Sequence, residues 1–194
     1  MDLFDFTNQL NDGHARTSSS WCHFMDLHYL ELHVIIGYVP NCYTKYEYIL
    51  PAPVVMFNDS IFIAPDSVEF LNQLGPDFTG FFAAKNFNWV RLAGARVITI
   101  EGVLAVDHID EIARTVSGNY LDHNVRVNSV LSSYRIANGS FSRRLGDLAG
   151  RFVLTKTRKS LTFSLIPINS TKAEFVDVPF VANYRGTPFT DGPS

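Results

Sequence analysis

Five side chains able to ligate a metal crowd into the segment from Cys22 to His33: Cys22, His23, Asp26, His28 and His33. A closed zinc site would need four such groups to converge on one point. The surrounding residues argue against convergence. From Leu27 to Tyr38 the chain alternates, with Leu30, Leu32, Val34 and Ile36 on one face and Tyr29, Glu31 and His33 on the other. In a strand of that kind Cys22, Asp26 and His28 share one face, and His23 and His33 share the other. The spacing also matches no standard zinc pattern. The expectation is no metal, with the histidines serving strand hydrogen bonds or an interface.

His108-Ile109-Asp110-Glu111 sets a histidine beside two acids, but acids are favoured in the first turn of a helix simply because they oppose its dipole. His123 with Asp122 or Glu101 would suit proton transfer only if folding brought the pair into a pocket. The chain has no G-x-S-x-G, H-E-x-x-H, phosphate loop or G-x-G-x-x-G. No enzymatic activity and no cofactor are therefore expected.

The stretch from Arg135 to Lys159 is different in kind. It holds Arg135, Arg143, Arg144, Arg151, Lys156, Arg158 and Lys159 against the single acid Asp147. The whole chain carries −3, yet residues 1–90 sum to −7 and residues 91–194 to +4. Such polarity speaks to partners rather than to fold. These seven groups are the candidate nucleic-acid contacts, each meeting a phosphate without reading sequence. An ordinary solvated basic face is the competing interpretation, since no RNP signature accompanies the run.

Around these residues, 194 positions with 46% hydrophobic and 18% charged side chains, sixteen Phe and eight Tyr describe a chain able to bury a substantial core. One domain, 1–194, is expected, with a helix and loop over 1–20 and a coil over 186–194. The first twenty residues lack a basic segment followed by an apolar one, and no apolar run reaches the ~20 residues of a membrane span. Cys22 and Cys42 make no disulfide framework.

Taken in order, residues 2–10 read as a short helix, and 27–38 and 43–50 as strands, with Pro51 and Pro53 at an edge or bend. Asp66-Ser67-Val68-Glu69 has the form of a capping box opening a helix that Gly75-Pro76 stops. Residues 87–103 read as strand, with a bulge or turn at Gly94. Asp107 caps a helix with Ile109, Ile112, Ala113 and Val116 inward, closed by Gly118. Residues 124–137 alternate as a strand through Val125, Val127, Val130 and Tyr134, ended by an Asn138-Gly139 turn. Ser140 or Ser142 then caps a helix to Gly150, with Phe141, Leu145 and Leu148 in the core and Arg143 and Arg144 pointing away. Strands follow over 152–156, 161–166 and 174–184.

This order of elements resembles the coat-protein subunits of small non-enveloped viruses. The run FFAAKNFNWVRLAGARVITIEGV, Phe81 to Val103, is similar to the entry into an early jelly-roll strand, and LHVIIGYVPN, Leu32 to Asn41, to a strand ending in a Pro loop. The family usually carries a basic N-terminal arm, whereas Asp2, Asp5 and Asp12 make this start acidic. Packaging of nucleic acid would then fall to Arg135–Lys159. The resemblance implies a mainly β, jelly-roll-like antiparallel sandwich with three or four short helices. It implies a self-assembling coat subunit whose partners are copies of itself and nucleic acid, located in the virion or host cytoplasm. The alternative is a small β-rich enzyme or ligand-binding protein using the His and acid groups of residues 22–33 or 107–123.

Overall fold

A computed structural model describes residues 46–117, 120–137, 139–149 and 159–184. These residues are β-rich, with antiparallel sheets and four short α-helices. Strands β1 (Tyr46–Ile49), β2 (Val54–Phe57) and β3 (Ser60–Ile63) come first. Asn58 and Asp59 between β2 and β3 both hold positive φ, 45° and 55°, a primed two-residue turn whose twist matches the flanking strands. Glu101 and Gly102 repeat the device, φ 54° and 78°, between β4 (Arg96–Ile100) and the short β5 (Val103–Leu104). Strands β6 (Ser133–Ala137) and β7 (Ser140–Arg144) form a separate hairpin. The chain closes with β8 (Ser160–Ile166), β9 (Glu174–Pro179) and β10 (Val181–Tyr184). The main sheet runs β2-β3-β4-β8-β9 with β5 attached to β4, while β1 pairs β10. No barrel closes among the described residues.

Alternation decides which face of this sheet is buried. Val54, Ile61, Ile63, Val97, Ile100, Leu161, Phe163 and Leu165 lie inward at 4% exposure or less. Against them pack Ala105, Ile109 and Ala113 of helix α3 (Ala105–Thr115) and Val130 of helix α4 (His123–Val130). A second cluster joins Ile49 to Leu71, Phe78, Phe82 and Trp89. Helices α1 (Ser67–Asn72) and α2 (Pro76–Ala84) build it, together with Trp89 at the entry to a 3-10 turn, Val90–Leu92, whose Leu92 joins the first cluster. Its rings meet edge to face, Phe78 with Phe82 at 4.9 Å and with Trp89 at 5.7 Å, as their quadrupoles favour.

Several elements differ from the sequence expectations, each for a local reason. Gly75-Pro76 does end α1, but Pro76 also opens α2, because its fixed φ and missing N–H suit a first helical position. The strand expected over 87–103 begins only at Arg96. Gly94, at φ 74°, turns the chain where any Cβ would collide with Ile168. The helix expected from Asp107 starts at Ala105, with Leu104 as its N-cap and Asp107 within the first turn. Residues 123–130, expected as strand, are helical: Asp122 accepts a hydrogen bond from Val125 N at 3.0 Å, and this cap prevails over three β-branched valines. The helix expected from Ser140 is instead strand β7. Turning at Gly139, φ 75°, brings it back along β6, where the ladder satisfies its backbone. Phe141 is consequently exposed rather than in the core, although Leu148 is buried as expected. The strand expected over 174–184 breaks after Pro179: Phe180 N donates to Lys159 O, and β10 crosses to pair with β1. The elements expected over 2–10, 27–38 and 152–156, the coil over 186–194 and the helix stop at Gly118 lie outside the described residues.

Candidate functional site

The β6–β7 hairpin gathers three of the predicted basic residues, and its register sorts them. Tyr134 lies opposite Arg143 and Ile136 opposite Phe141 on one face, with Ser133 opposite Arg144 and Arg135 opposite Ser142 on the other. At its base the hairpin is fastened to the body. The Tyr134 hydroxyl donates to Asp66 Oδ2, and Arg143 reaches Asp66 Oδ1 at 3.3 Å. The Arg143 guanidinium sits over both the Tyr134 ring, at 4.4 Å, and the Phe70 ring of α1, at 4.9 Å. Only 10% of the Arg143 side chain is exposed. Its Nε donates to Ser132 Oγ at 3.1 Å, Ser132 Oγ donates to Arg144 O at 2.8 Å, and Ser132 N donates to Val54 O at 2.7 Å. The base is thereby tied to α1 and to β2. The hydrogen bond to Asp66 holds the Tyr134 hydroxyl above the usual tyrosine range, with burial a lesser cause.

Asp66 was expected to cap α1. It makes no capping bond, because its carboxylate is engaged by Tyr134 and Arg143 from 68 and 77 residues further along the chain. Arg144 binds Asp147 with two hydrogen bonds of 2.9 Å, and Asp147 also accepts from Ser117 Oγ at 2.5 Å. Neither Arg143 nor Arg144 therefore points away from the body on a polar helix face, as the sequence suggested. Arg135 is exposed, with Nε 3.4 Å from Ser142 Oγ, and Lys159 is exposed at the start of β8. Arg151, Lys156 and Arg158 lie outside the described residues. Of the four basic side chains described, two already hold carboxylates.

Towards the turn, the hairpin loses these attachments. Ile136 is 70% exposed and Phe141 78%, a cross-strand apolar pair at the tip. Pairing such residues across a ladder and then leaving them in water costs the burial they would otherwise contribute.

The acid and histidine groups resolve differently from expectation. His123 Nε2 meets Asp110 Oδ1 at 2.5 Å, while Asp122 caps α4 and Glu101 accepts from Thr162 N at 2.6 Å. Arg114 holds the other Asp110 oxygen at 2.8 Å. The Asp110 carboxyl lies below its usual range, first through the His123 hydrogen bond and then through the charges of Arg114 and His123, against an opposing effect of burial. This cluster joins α3 to α4. Among the described residues no three His, Cys, Asp or Glu side chains group as a metal site, and Cys22, His23, Asp26, His28 and His33 lie outside them. A cavity of about 10 Å³, room for about one water, lies between Tyr48, Leu50 and Leu148, with no acid or histidine in its lining. No described helix is long and apolar enough to cross a membrane.

Asp66, Phe70 and Ser132 were not singled out by the sequence as parts of the site. The one signal was Asp66 itself, which resembled a cap because the same short acid that accepts helix amides also accepts a distant hydroxyl and guanidinium. Compared with protein-family models, curated proteins and solved structures, the chain matches none.

Proposed function

We propose that this chain is a structural subunit that assembles with copies of itself, in the manner of a viral coat protein, and that the β6–β7 hairpin is its assembly arm. The observation that carries the reading is the exposed Ile136–Phe141 pair on an arm whose base is fixed by Asp66, Phe70 and Ser132. A held base limits the freedom lost when the tip is buried, so a small apolar tip binds more tightly than on a loose loop. The antiparallel main sheet, helices on one face, is in this reading one layer of a jelly-roll-like sandwich. A structural rather than enzymatic role belongs to the same proposal.

Nucleic acid would be the second partner. Its candidate contacts are Arg135 and Lys159, which stand exposed, together with Arg151, Lys156 and Arg158. The alternative of a small enzyme or ligand-binding protein draws on the His123–Asp110 pair, a histidine oriented by a carboxylate as a general base would be. The described cavity lies against other residues and gives that pair no substrate space.

Light scattering with sedimentation velocity on the full chain tests the proposal. Large assemblies of uniform size are expected, dissociating in Phe141→Asp. A monodisperse monomer at high concentration across several buffers would overturn it.

A further inference from the structure

Three of the five polar side chains buried among the described residues, Ser117, Ser129 and Ser132, collect under the root of the β6–β7 arm, at 1%, 7% and 6% exposure. Ser117 follows α3, Ser129 lies in the last turn of α4, and Ser132 leads into β6. Each meets the exit of β7. Ser117 Oγ donates to Asp147 Oδ2 at 2.5 Å, Ser129 O accepts from Asp147 N at 3.0 Å, and Ser132 Oγ donates to Arg144 O at 2.8 Å. Asp147 is thus held at both ends, its backbone by α4 and its carboxylate by Ser117 and Arg144. Between Arg144 and Asp147 the chain turns at Gly146, φ 86°, where a Cβ would stand 2.2 Å from Val130 O. Only glycine lets the exit of β7 lie so close on the end of α4. The arm is therefore gripped from both faces, by Asp66 and Phe70 on the side of Tyr134 and Arg143 and by Asp147 on the side of Arg144.

A buried polar seat does what an apolar one does not. Apolar burial is non-directional, so an arm seated on it could tilt at little cost. A hydrogen bond keeps its strength only over about 2.7–3.2 Å and near-linear geometry, and a buried network whose members are all partnered rigidifies one arrangement. The tip magnifies any looseness. From Ser133 to Ala137 the arm runs four residue steps of about 3.4 Å, so a tilt of about 10° at the root displaces the tip by about 2.4 Å.

We propose that this serine seat sets the angle at which the arm leaves the body, and with it the geometry of the assembly: the tip supplies the contact, and the seat decides which closed species the contact builds. The inference rests on the assembly reading above and adds the residues that determine its geometry. A contact repeated from copy to copy closes into rings or shells of one size only when the rotation it imposes is fixed. Ser117, Ser132 and Asp147 are in this sense positioning residues, none of them at the tip.

The test reads the angle in single molecules and the geometry in particles. Spin labels on p-acetylphenylalanine at the exposed positions Ser140, on the arm, and Lys172, on the body, report their distance in the full chain carrying Phe141→Asp, so that only distances within one molecule are seen. One narrow distribution is expected. Ser117→Ala with Ser132→Ala removes two seat hydroxyls at almost constant volume and should widen that distribution by about 2–3 Å, the displacement of a small tilt at the root. With Phe141 intact, the same double variant should still assemble, but into particles of mixed size. A core control, Ile109→Val, lowers stability away from the seat and should keep both the narrow distribution and uniform particles. An unchanged width in the double variant, equal widening in the core control, or uniform particles despite a widened arm would overturn the inference. Should the double variant fail to fold, Ser117→Ala alone is judged by the same widths. If the parent chain stays monomeric the assembly reading ends, and the fixed angle of the arm stands or falls on the distances alone.

Discussion

The two ends of the β6–β7 hairpin are built on opposite principles. At the base, the Tyr134 hydroxyl and the Arg143 guanidinium are engaged by the body of the same chain, through Asp66, Phe70 and Ser132. At the tip, Ile136 and Phe141 touch little and lie in water. The difference separates stability from association within five residue pairs. Base substitutions should unfold or loosen the arm, and tip substitutions should leave folding alone and act only between molecules.

Arg143→Ala breaks the comparison hardest. It removes a cation that is almost wholly covered, leaves Asp66 without its charge partner, and strips the stacking from Tyr134 and Phe70. Breaking a buried pair by removing one partner costs about 3–5 kcal/mol; with Asp66 partly solvated, about 2–3 kcal/mol is expected by urea unfolding. A double-mutant cycle with Asp66→Asn should show coupling well above the usual additivity error of about 0.5 kcal/mol. By contrast Phe141→Ser should shift stability by less than about 0.5 kcal/mol while abolishing particles. Equal stability losses at both positions would mean that base and tip are one structural unit.

How much of this was legible in the sequence follows the range of the interactions involved. Local signals held: the alternation of Leu161, Phe163 and Leu165 is strand β8, the hairpin turns at Gly139, and Ile109 and Ala113 face the core from α3. Where two local signals competed, the sequence misled. Val125, Val127 and Val130 favour strand by propensity, but a single N-cap bond from Asp122 fixes a helix. At Ser140 a plausible cap and apolar spacing suggested a helix, whereas a ladder with β6 takes the same residues as strand. The arm's base was invisible for a further reason. Nothing near Asp66 indicates that its partners arrive from Tyr134 and Arg143, because that meeting is made by the sheet topology.

The same pairing revises what the basic stretch can offer nucleic acid. Arg143 and Arg144 hold Asp66 and Asp147, so replacing both with Ala would damage the fold before it tested phosphate contact. Arg135 and Lys159 are the described cations to test, being exposed and placed in no ion pair among the described residues. If both engage single-stranded RNA, Arg135→Ala with Lys159→Ala should flatten the slope of log K against log salt by about 1.4, at about 0.7 per phosphate contact. An unchanged slope with normal particles would assign the basic run to solvent and fold alone.

The gentlest probe of the base is pH, because Tyr134 and Asp66 form a hydrogen bond that exists only while the phenol keeps its proton. The Tyr134 hydroxyl is raised above its ordinary value in the folded chain, first by that hydrogen bond, so the folded state binds the proton more tightly than the unfolded state does. Its contribution to stability is therefore complete below the unfolded tyrosine value, about 10, and is lost as pH rises through the higher folded value. Asp110 runs the other way: its carboxyl is depressed, so its contribution is present above the unfolded aspartate value, about 3.9, and is lost as pH falls through the folded one. Unfolding measured against pH should accordingly show an alkaline decline that Tyr134→Phe reduces, the phenol of Tyr48, raised by burial, contributing to the rest, and an acid decline that Asp110→Asn reduces. Since Arg143 still holds Asp66 when the phenol ionises, the alkaline loss should be smaller than that of Arg143→Ala. Particles formed through an intact tip should survive it until the base itself gives way. If Tyr134→Phe left the alkaline limb unchanged, the hydroxyl would be a spectator, and the base would be held by the guanidinium and the rings alone.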